Sequence, residues 1–248
     1  MAGDPKISII TICKNAESVV ERTLASIVNQ TYDPLEYIVV DGASTDRTLE
    51  IVQTFKHRIA MLISEPDNGI YDTMNKGVAA STGEYLLFVN AGDYLIDHRV
   101  ITTAVNELRH QPHVDVLSGH LVIYDPISGS ATLWRASKRT RLSMYMGSLP
   151  HPATFFKNSA FEKNGMYDTS YKIAGDYEWF VRGFEQNHLS FATLNAFISV
   201  FINDGLSTSS TWQRVQDQEK ERFRQQYYSS GDRFWLNMGV FLRKNKLL

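Results

Sequence analysis

Cysteine is nearly absent: Cys13 is the only one in 248 residues. No disulfide can close within the chain and no cysteine-rich zinc site can be built, so a reducing, cytoplasmic setting is expected. No apolar run reaches the roughly 18 residues of a membrane span. The opening MAGDPKIS lacks the apolar core of a secretory leader, and none is expected. Excess charge is missing too: 25 basic residues face 27 acidic ones, a formal net charge of −2. That balance provides no global basic field, so no nucleic-acid partner is expected. The familiar phosphate-binding signatures also fail. No G-x-G-x-x-G follows the first apolar run, and Gly77 and Gly83 are misspaced for a Walker A loop, with Glu84 where lysine is needed. No H-E-x-x-H occurs, and there is no repeat, low-complexity tract or clear linker.

What is present reads as an ordinary globular chain, 43% hydrophobic and 21% charged, long enough for a substantial core. KISIITIC (6–13) is apolar almost throughout, like a strand covered on both faces. Val20, Leu24, Ile27 and Val28 then recur at helical spacing. EYIVVDG (36–42), a helix over STDRTLEIVQTF capped by Ser44 or Asp46, IAMLIS (59–64), a helix through Ile70, Met74 and Val78, and YLLFV (85–89) follow. This alternation predicts an α/β fold: a Rossmann-like, mostly parallel sheet flanked by helices. The second half differs. VDVLSGHLVIYDPISGSATLW (114–134) reads as long strands turning at Asp125 to Ser130, with further strands at ATFFK (153–157) and AFISVFI (196–202). Between them DYEWFVRGF is a helix with Tyr177, Phe180, Val181 and Phe184 on one face. One domain with two lobes is expected: 5–110 for a nucleotide, 111–205 for a second substrate, and a helical tail over 206–248.

In an open parallel sheet, ligands bind beyond the carboxyl ends of the strands, where strand order reverses. Four segments fall there and are polar: Thr11 to Asn15, Asp41 to Asp46, the turn after the third strand, and Asn90 to Asp93. With no glycine-rich cradle, a bound diphosphate needs another neutralising charge. A divalent cation on a carboxylate supplies it, and Asp93 is placed for that role.

Read together, TICKN (11–15), VDGASTDRT (40–48), MNKG (74–77) and GEYLLFVNAGD (83–93) resemble glycosyltransferase family 2, enzymes of the GT-A fold. The string PDNGIYDTMNKG is similar to a subset associated with bacterial surface polysaccharide assembly, as in colanic-acid-type transferases. The likeness continues more loosely through LPHPATFF (149–156) and AGDYEWFVR (174–182), covering roughly residues 5 to 205. The resemblance implies an inverting transfer of a sugar from a nucleoside diphosphate, by analogy UDP, to a hydroxyl of a glycan or lipid-linked acceptor. It implies Thr11, Asn15, Asp41, Gly42, Ser44, Asn75, Gly83 and Asn90 as donor-binding positions, with Asp41 accepting from the base. It implies Asp93 as ligand of Mn²⁺ or Mg²⁺ and Asp176 as catalytic base. Asp176 falls in the first turn of its helix, where the dipole favours the ionised form a base needs.

The sequence departs from the family in one respect. Where two or three acidic residues are usual, it has Asn90, Ala91, Gly92 and Asp93, which puts metal dependence in question. A non-catalytic nucleotide-sugar-binding subunit is therefore the alternative. A sugar-phosphate nucleotidyltransferase ranks lower, since TICKNAES offers one lysine and no glycine. Other roles stand beside the functional ones: Asp93 and Asp176 as helix caps, Asn75 as partner of a neighbouring carbonyl. His151, stiffened between Pro150 and Pro152, either reaches the diphosphate or makes a plain hydrogen bond. The tail at 232–248 mixes Phe234, Trp235, Met238 and Phe241 with Arg233, Arg243, Lys244 and Lys246. Two readings fit it: a helix packed on the core, weakened by Gly239, or one lying on an anionic membrane surface.

Overall fold

A computed structural model describes residues 4–203 and 210–245. Met1–Gly3, the first positions of the expected tail (206–209), Lys246 and the Lys244 side chain lie outside the described residues.

The first strand, β1 (Ile7–Cys13), is buried along its whole length. Its side chains alternate: Ile7, Ile9 and Cys13 join the core on one face of the sheet, Ile10 and Ile12 the core on the other. Helix α1 (Val20–Val28) lays Val20, Leu24 and Ile27 on the first face. Strand β2 (Leu35–Asp41), helix α2 (Thr48–Thr54), strand β3 (Met61–Ser64), helix α3 (Ile70–Ala80) and strand β4 (Tyr85–Phe88) follow. Helix α3 covers the second face through Met74 and Val78. It approaches so closely that a Cβ on Gly77 would stand 2.5 Å from Ile10 Cγ2. Neither Ser44 nor Asp46 is the N-cap of α2. Arg47 takes that position without a side-chain cap bond, while Asp46 Oδ1 accepts from the Thr48 amide at 3.0 Å.

The second half adds β5 (Tyr94–Leu95), α4 (Val100–His110), β6 (Val116–Asp125), β7 (Ser130–Trp134) and α5 (Arg141–Met146). Then come β8 (Thr154–Lys157), α6 (Asn158–Asn164), α7 (Gly175–Glu185), β9 (Phe191–Ile202), α8 (Ser210–Tyr227) and α9 (Ser230–Lys244). The strands form one sheet in the order β3-β2-β1-β4-β8-β6-β9-β5, with β7 beside β6. β3, β2, β1 and β4 are mutually parallel, and β8 runs antiparallel to both β4 and β6. The chain leaves β1 toward β2 and β3, then returns to β1's other side as β4. Strand order therefore reverses at β1, and the loops after β1 and β4 part there.

The tail packs on the core along one side. Arg141 on α5 reaches Glu185 of α7 at 2.9 Å and Asp232 of α9 at 2.7 Å, tying three helices together. Gly239 lets α9 close on Leu142, where an added Cβ would stand 3.2 Å away. On the other side Phe234, Trp235 and Phe241 are 60%, 69% and 60% exposed. No helix among the described residues is long and apolar enough to cross a membrane.

Candidate active site

Two adjoining clefts open at the switch point. The first, about 350 Å³, is lined by Cys13 at the end of β1 and Lys14 after it, Asp67 before α3 and Thr73 on it, and Asn90 after β4. The second, about 450 Å³, gathers Asn90, Asp93, His151 and Asp176 with Trp134 and Tyr71. Asn90 and Ile70 belong to both, so a ligand spanning the two passes between them.

Asp176 occupies the first turn of α7, as its spacing predicted. Burial pushes its carboxyl pKa above the ordinary aspartate value, against the opposing pull of the Tyr177 backbone amide and the Tyr71 hydroxyl. Burial thus outweighs the helix dipole invoked from the sequence. Tyr71 donates to Asp176 Oδ1 at 3.1 Å. Gly175 is what admits the Tyr71 ring, since a Cβ there would lie 2.8 Å from Tyr71 Cε2. The neighbouring Glu178 is spent elsewhere: it accepts from Arg182 at 2.9 Å and from the Tyr227 hydroxyl at 2.5 Å.

Asp93 is buried, and its Oδ1 accepts from the Ile202 amide at 3.2 Å. Asn90 Oδ1 and His151 Nδ1 are buried polar atoms with no partner among the described residues. His151 Nε2 meets the Tyr167 hydroxyl at 2.9 Å. Burial lowers the His151 pKa to about 3, so the ring is neutral and brings no positive charge to a diphosphate. The side chain that does bring charge is Lys14, within 3.4 Å of Asp67 at the mouth of the first cleft. Both residues stand in motifs already singled out, TICKN and PDNGIYD. Their polarity is the available sequence signal.

The remaining candidates sit behind the cleft. Thr11 is buried within the sheet, donating to the Val89 carbonyl at 2.8 Å and accepting from the Tyr37 hydroxyl at 3.0 Å. Asp41 is fully buried, and its two oxygens take the Ser44 amide at 3.0 Å, the Ser44 hydroxyl, the Ser64 hydroxyl at 2.8 Å and the Cys13 thiol at 3.7 Å. Asn15 joins this network: its amide donates to Ser44 Oγ and its Oδ1 accepts from the Thr45 amide, both at 2.8 Å. Gly42 makes room for the Asp67 carboxylate, which an added Cβ would strike. These residues brace the two loops that bound the first cleft.

Two candidates are not brought to the cleft. Asn75 pins the Tyr167 backbone, donating to its carbonyl at 2.9 Å and accepting from its amide at 3.0 Å, the structural role left open by the sequence. Gly83 is at the opposite, amino-terminal edge of the sheet. Its amide donates to Ser8 Oγ at 2.9 Å, and a Cβ would lie 2.7 Å from Ser8 N and 2.9 Å from the Lys6 carbonyl. That position serves packing and corrects its assignment to the donor site.

A parallel sheet continued by antiparallel strands, with an aspartate loop at its switch point, defines the GT-A class of α/β transferase fold. The family model of glycosyl transferase family 2 matches residues 8–179. The chain belongs to that family and is a glycosyltransferase. It is 34% identical over 191 residues to an uncharacterized glycosyltransferase of Mycobacterium tuberculosis, covering 73% of this chain and 70% of that one. It is 30% identical over 185 residues, with the same coverage, to a PGL/p-HBAD biosynthesis glycosyltransferase of Mycobacterium bovis. Among solved structures it is similar to S. aureus TarS 1–349 in complex with UDP-GlcNAc, with TM-score 0.66, 20% identity and 83% of this chain covered. It is also similar to a mannosyltransferase from Pyrobaculum calidifontis in complex with GDP-Man and Mn²⁺, with TM-score 0.61, 22% identity and 79% of this chain covered. The chain spans 61% and 56% of those two solved chains.

Proposed function

We propose that the protein moves a sugar, with inversion, from a nucleoside-diphosphate donor, UDP-linked by preference, to a hydroxyl of a glycan or lipid-linked glycan. Polysaccharide or glycolipid assembly of the colanic-acid type is the context the motif string favours. The observation that carries the reading is the shared cleft, which Asn90, Asp93 and Asp176 all line. The nucleotide lies in the first cleft near Lys14 and Asp67, the donor sugar in the second. The acceptor hydroxyl passes its proton to Asp176 as its oxygen bonds to the anomeric carbon. The bond from that carbon to the diphosphate breaks, and the nucleoside diphosphate leaves. A carboxyl with a raised pKa suits the step, because it holds the transferred proton more firmly.

Among the described residues no cluster of three or more His, Cys, Asp or Glu side chains could hold a metal by itself. The donor set still fits a cation that takes its remaining ligands from substrate phosphate. Asp93 supplies a carboxylate, Asn90 Oδ1 an unspent lone pair, and His151 Nδ1 another in the tautomer whose Nε2–H donates to Tyr167, all along the same cleft. When bound, Mn²⁺ or Mg²⁺ would stabilise charge building on the leaving diphosphate.

The test is release of nucleoside diphosphate from a panel of nucleotide sugars with Mn²⁺, Mg²⁺ or EDTA, for the native protein and Asp93→Ala. Turnover of one donor that needs metal and collapses in Asp93→Ala supports both assignments. Turnover indifferent to both removes the metal role from Asp93. Nucleotide binding without turnover across donors and candidate acceptors would favour the non-catalytic alternative.

A further inference from the structure

Glu219 on α8 is buried, and backbone amides hold its carboxylate. Oε1 accepts from the Lys172 amide at 2.5 Å, and Oε2 from the Ile173 amide at 3.1 Å and the Ala174 amide at 2.9 Å. Three successive donors thus converge on one side chain. A carboxylate suits them because, when ionised, it only accepts. Glutamine at the same place would turn its NH2 toward at least one of the amides.

The gripped segment leads directly into the proposed base. Ala174 is the N-cap of α7 and has no side chain that could cap it. Gly175, needed there for the close approach of Tyr71, stiffens the turn less than any other residue would. Asp176 comes next, and Ile173 and Asp176 both line the sugar cleft. Tyr71 holds the Asp176 carboxylate itself, while Glu219 holds the backbone that carries it.

Helix α8 has a seat of its own. Phe223, one turn beyond Glu219, is fully buried, with its ring 4.8 Å from that of Tyr177. The Tyr227 hydroxyl, a further turn on, reaches Glu178 at 2.5 Å. The Glu219 bonds are therefore not what docks the helix. Glu219 also lies beyond residues 8–179, which the family model matches.

We infer that Glu219 is a positioning residue for Asp176: its carboxylate fixes the backbone at 172–174 and so sets where the base stands at the sugar cleft. The inference rests on the reading of Asp176 as base. Misplacing such a group by about 1 Å lowers a rate roughly a hundredfold, so a loosened turn should show in turnover before it shows in donor binding.

The test measures nucleoside diphosphate release from the nucleotide sugar that the donor panel selects, with UDP affinity read by calorimetry on the same full-length variants. Glu219→Gln should lower kcat about tenfold or more, with donor KM and UDP affinity unchanged. Glu219→Ala should fall further, and Glu219→Gln serves alone if Glu219→Ala does not fold. Added to Asp176→Asn, with product accumulated over hours, Glu219→Gln should cost less than about twofold more, because a residue that acts through the base has nothing left to act on. Native kcat in Glu219→Gln overturns the inference. A loss that multiplies in full in the double variant overturns it too, as does a UDP affinity that falls with kcat, since either makes Glu219 a support of the fold at large. Turnover that survives Asp176→Asn strikes instead at the base assignment beneath it.

Discussion

The Tyr71 hydroxyl donates to Asp176 Oδ1 across 3.1 Å, joining the helix after β3 to the helix that carries the proposed base, 105 positions later. The bond favours the ionised carboxylate, while burial favours the protonated acid. Tyr71→Phe removes the first influence and keeps the second. The acid limb of kcat/KM should therefore move to higher pH, with the rate on the alkaline plateau largely kept. An unmoved acid limb in a pH–rate profile would show that Asp176 is not the group that titrates.

Asp176→Asn should cost about two to four orders of magnitude in turnover, the usual contribution of a positioned base. Its effect on stability should run the other way. The folded carboxyl holds its proton to higher pH than the unfolded one, so at neutral pH the charged form opposes folding. Removing the charge should raise Tm, by about 2–4 °C for each kcal/mol recovered in a chain of this size. A variant that is both inactive and less stable would point to a structural role for the carboxylate.

Gly83→Ala should separate packing from binding. Its Cβ would meet backbone at 2.7 and 2.9 Å, contacts that no side-chain rotation relieves. A loss of about 1–3 kcal/mol is expected, seen as a fall in Tm. The nucleotide-sugar KM of the folded fraction should stay unchanged. A raised KM with unchanged Tm would return Gly83 to the donor site.

Much of the fold was legible because its strands are short apolar runs with two covered faces and its helices carry single apolar stripes. Ile10 and Ile12 against Ile7 and Ile9 show the first, and Val20, Leu24 and Ile27 the second. The short β5 and the antiparallel entry of β8 between β4 and β6 were not legible, since they depend on pairing between distant segments. At the site, Asp93 stood out as a carboxylate at an expected strand edge, and Asp176 through the family resemblance. Lys14, Asp67 and Tyr71 did not, because their importance comes from partners 53 and 105 positions away. The setting of His151 between two prolines allows either a diphosphate contact or a plain hydrogen bond, and only burial reveals that the ring is neutral.

That neutral ring has a consequence for metal. In the neutral tautomer whose Nε2–H donates to the Tyr167 hydroxyl, Nδ1 keeps its lone pair throughout the physiological range. If it helps hold the cation, His151→Phe should raise the half-saturating Mn²⁺ concentration roughly tenfold or more, by analogy with other lost metal-site contacts. Nucleotide affinity measured in EDTA should not change. Equal Mn²⁺ dependence in variant and native protein would leave His151 as a partner of Tyr167 only.

The exposed face of α9 is the last point of test. Phe234, Trp235 and Phe241 stand in solvent, while Gly239 and the Asp232–Arg141 pair hold the opposite side of the helix to the protein. The aromatic side chains thus add little to folding, and Arg233 and Arg243 add basic charge to the same helix. An interfacial helix gains from apolar burial and from attraction to anionic lipid together. Replacing the three aromatics with serine should leave Tm within about 2 °C of the native value, as for surface changes generally. Sedimentation with anionic vesicles should fall at least tenfold, and raised salt should weaken the native protein's binding as well. If vesicle binding were the same in the variant, the membrane reading of this helix would be abandoned and its aromatics assigned to a protein contact.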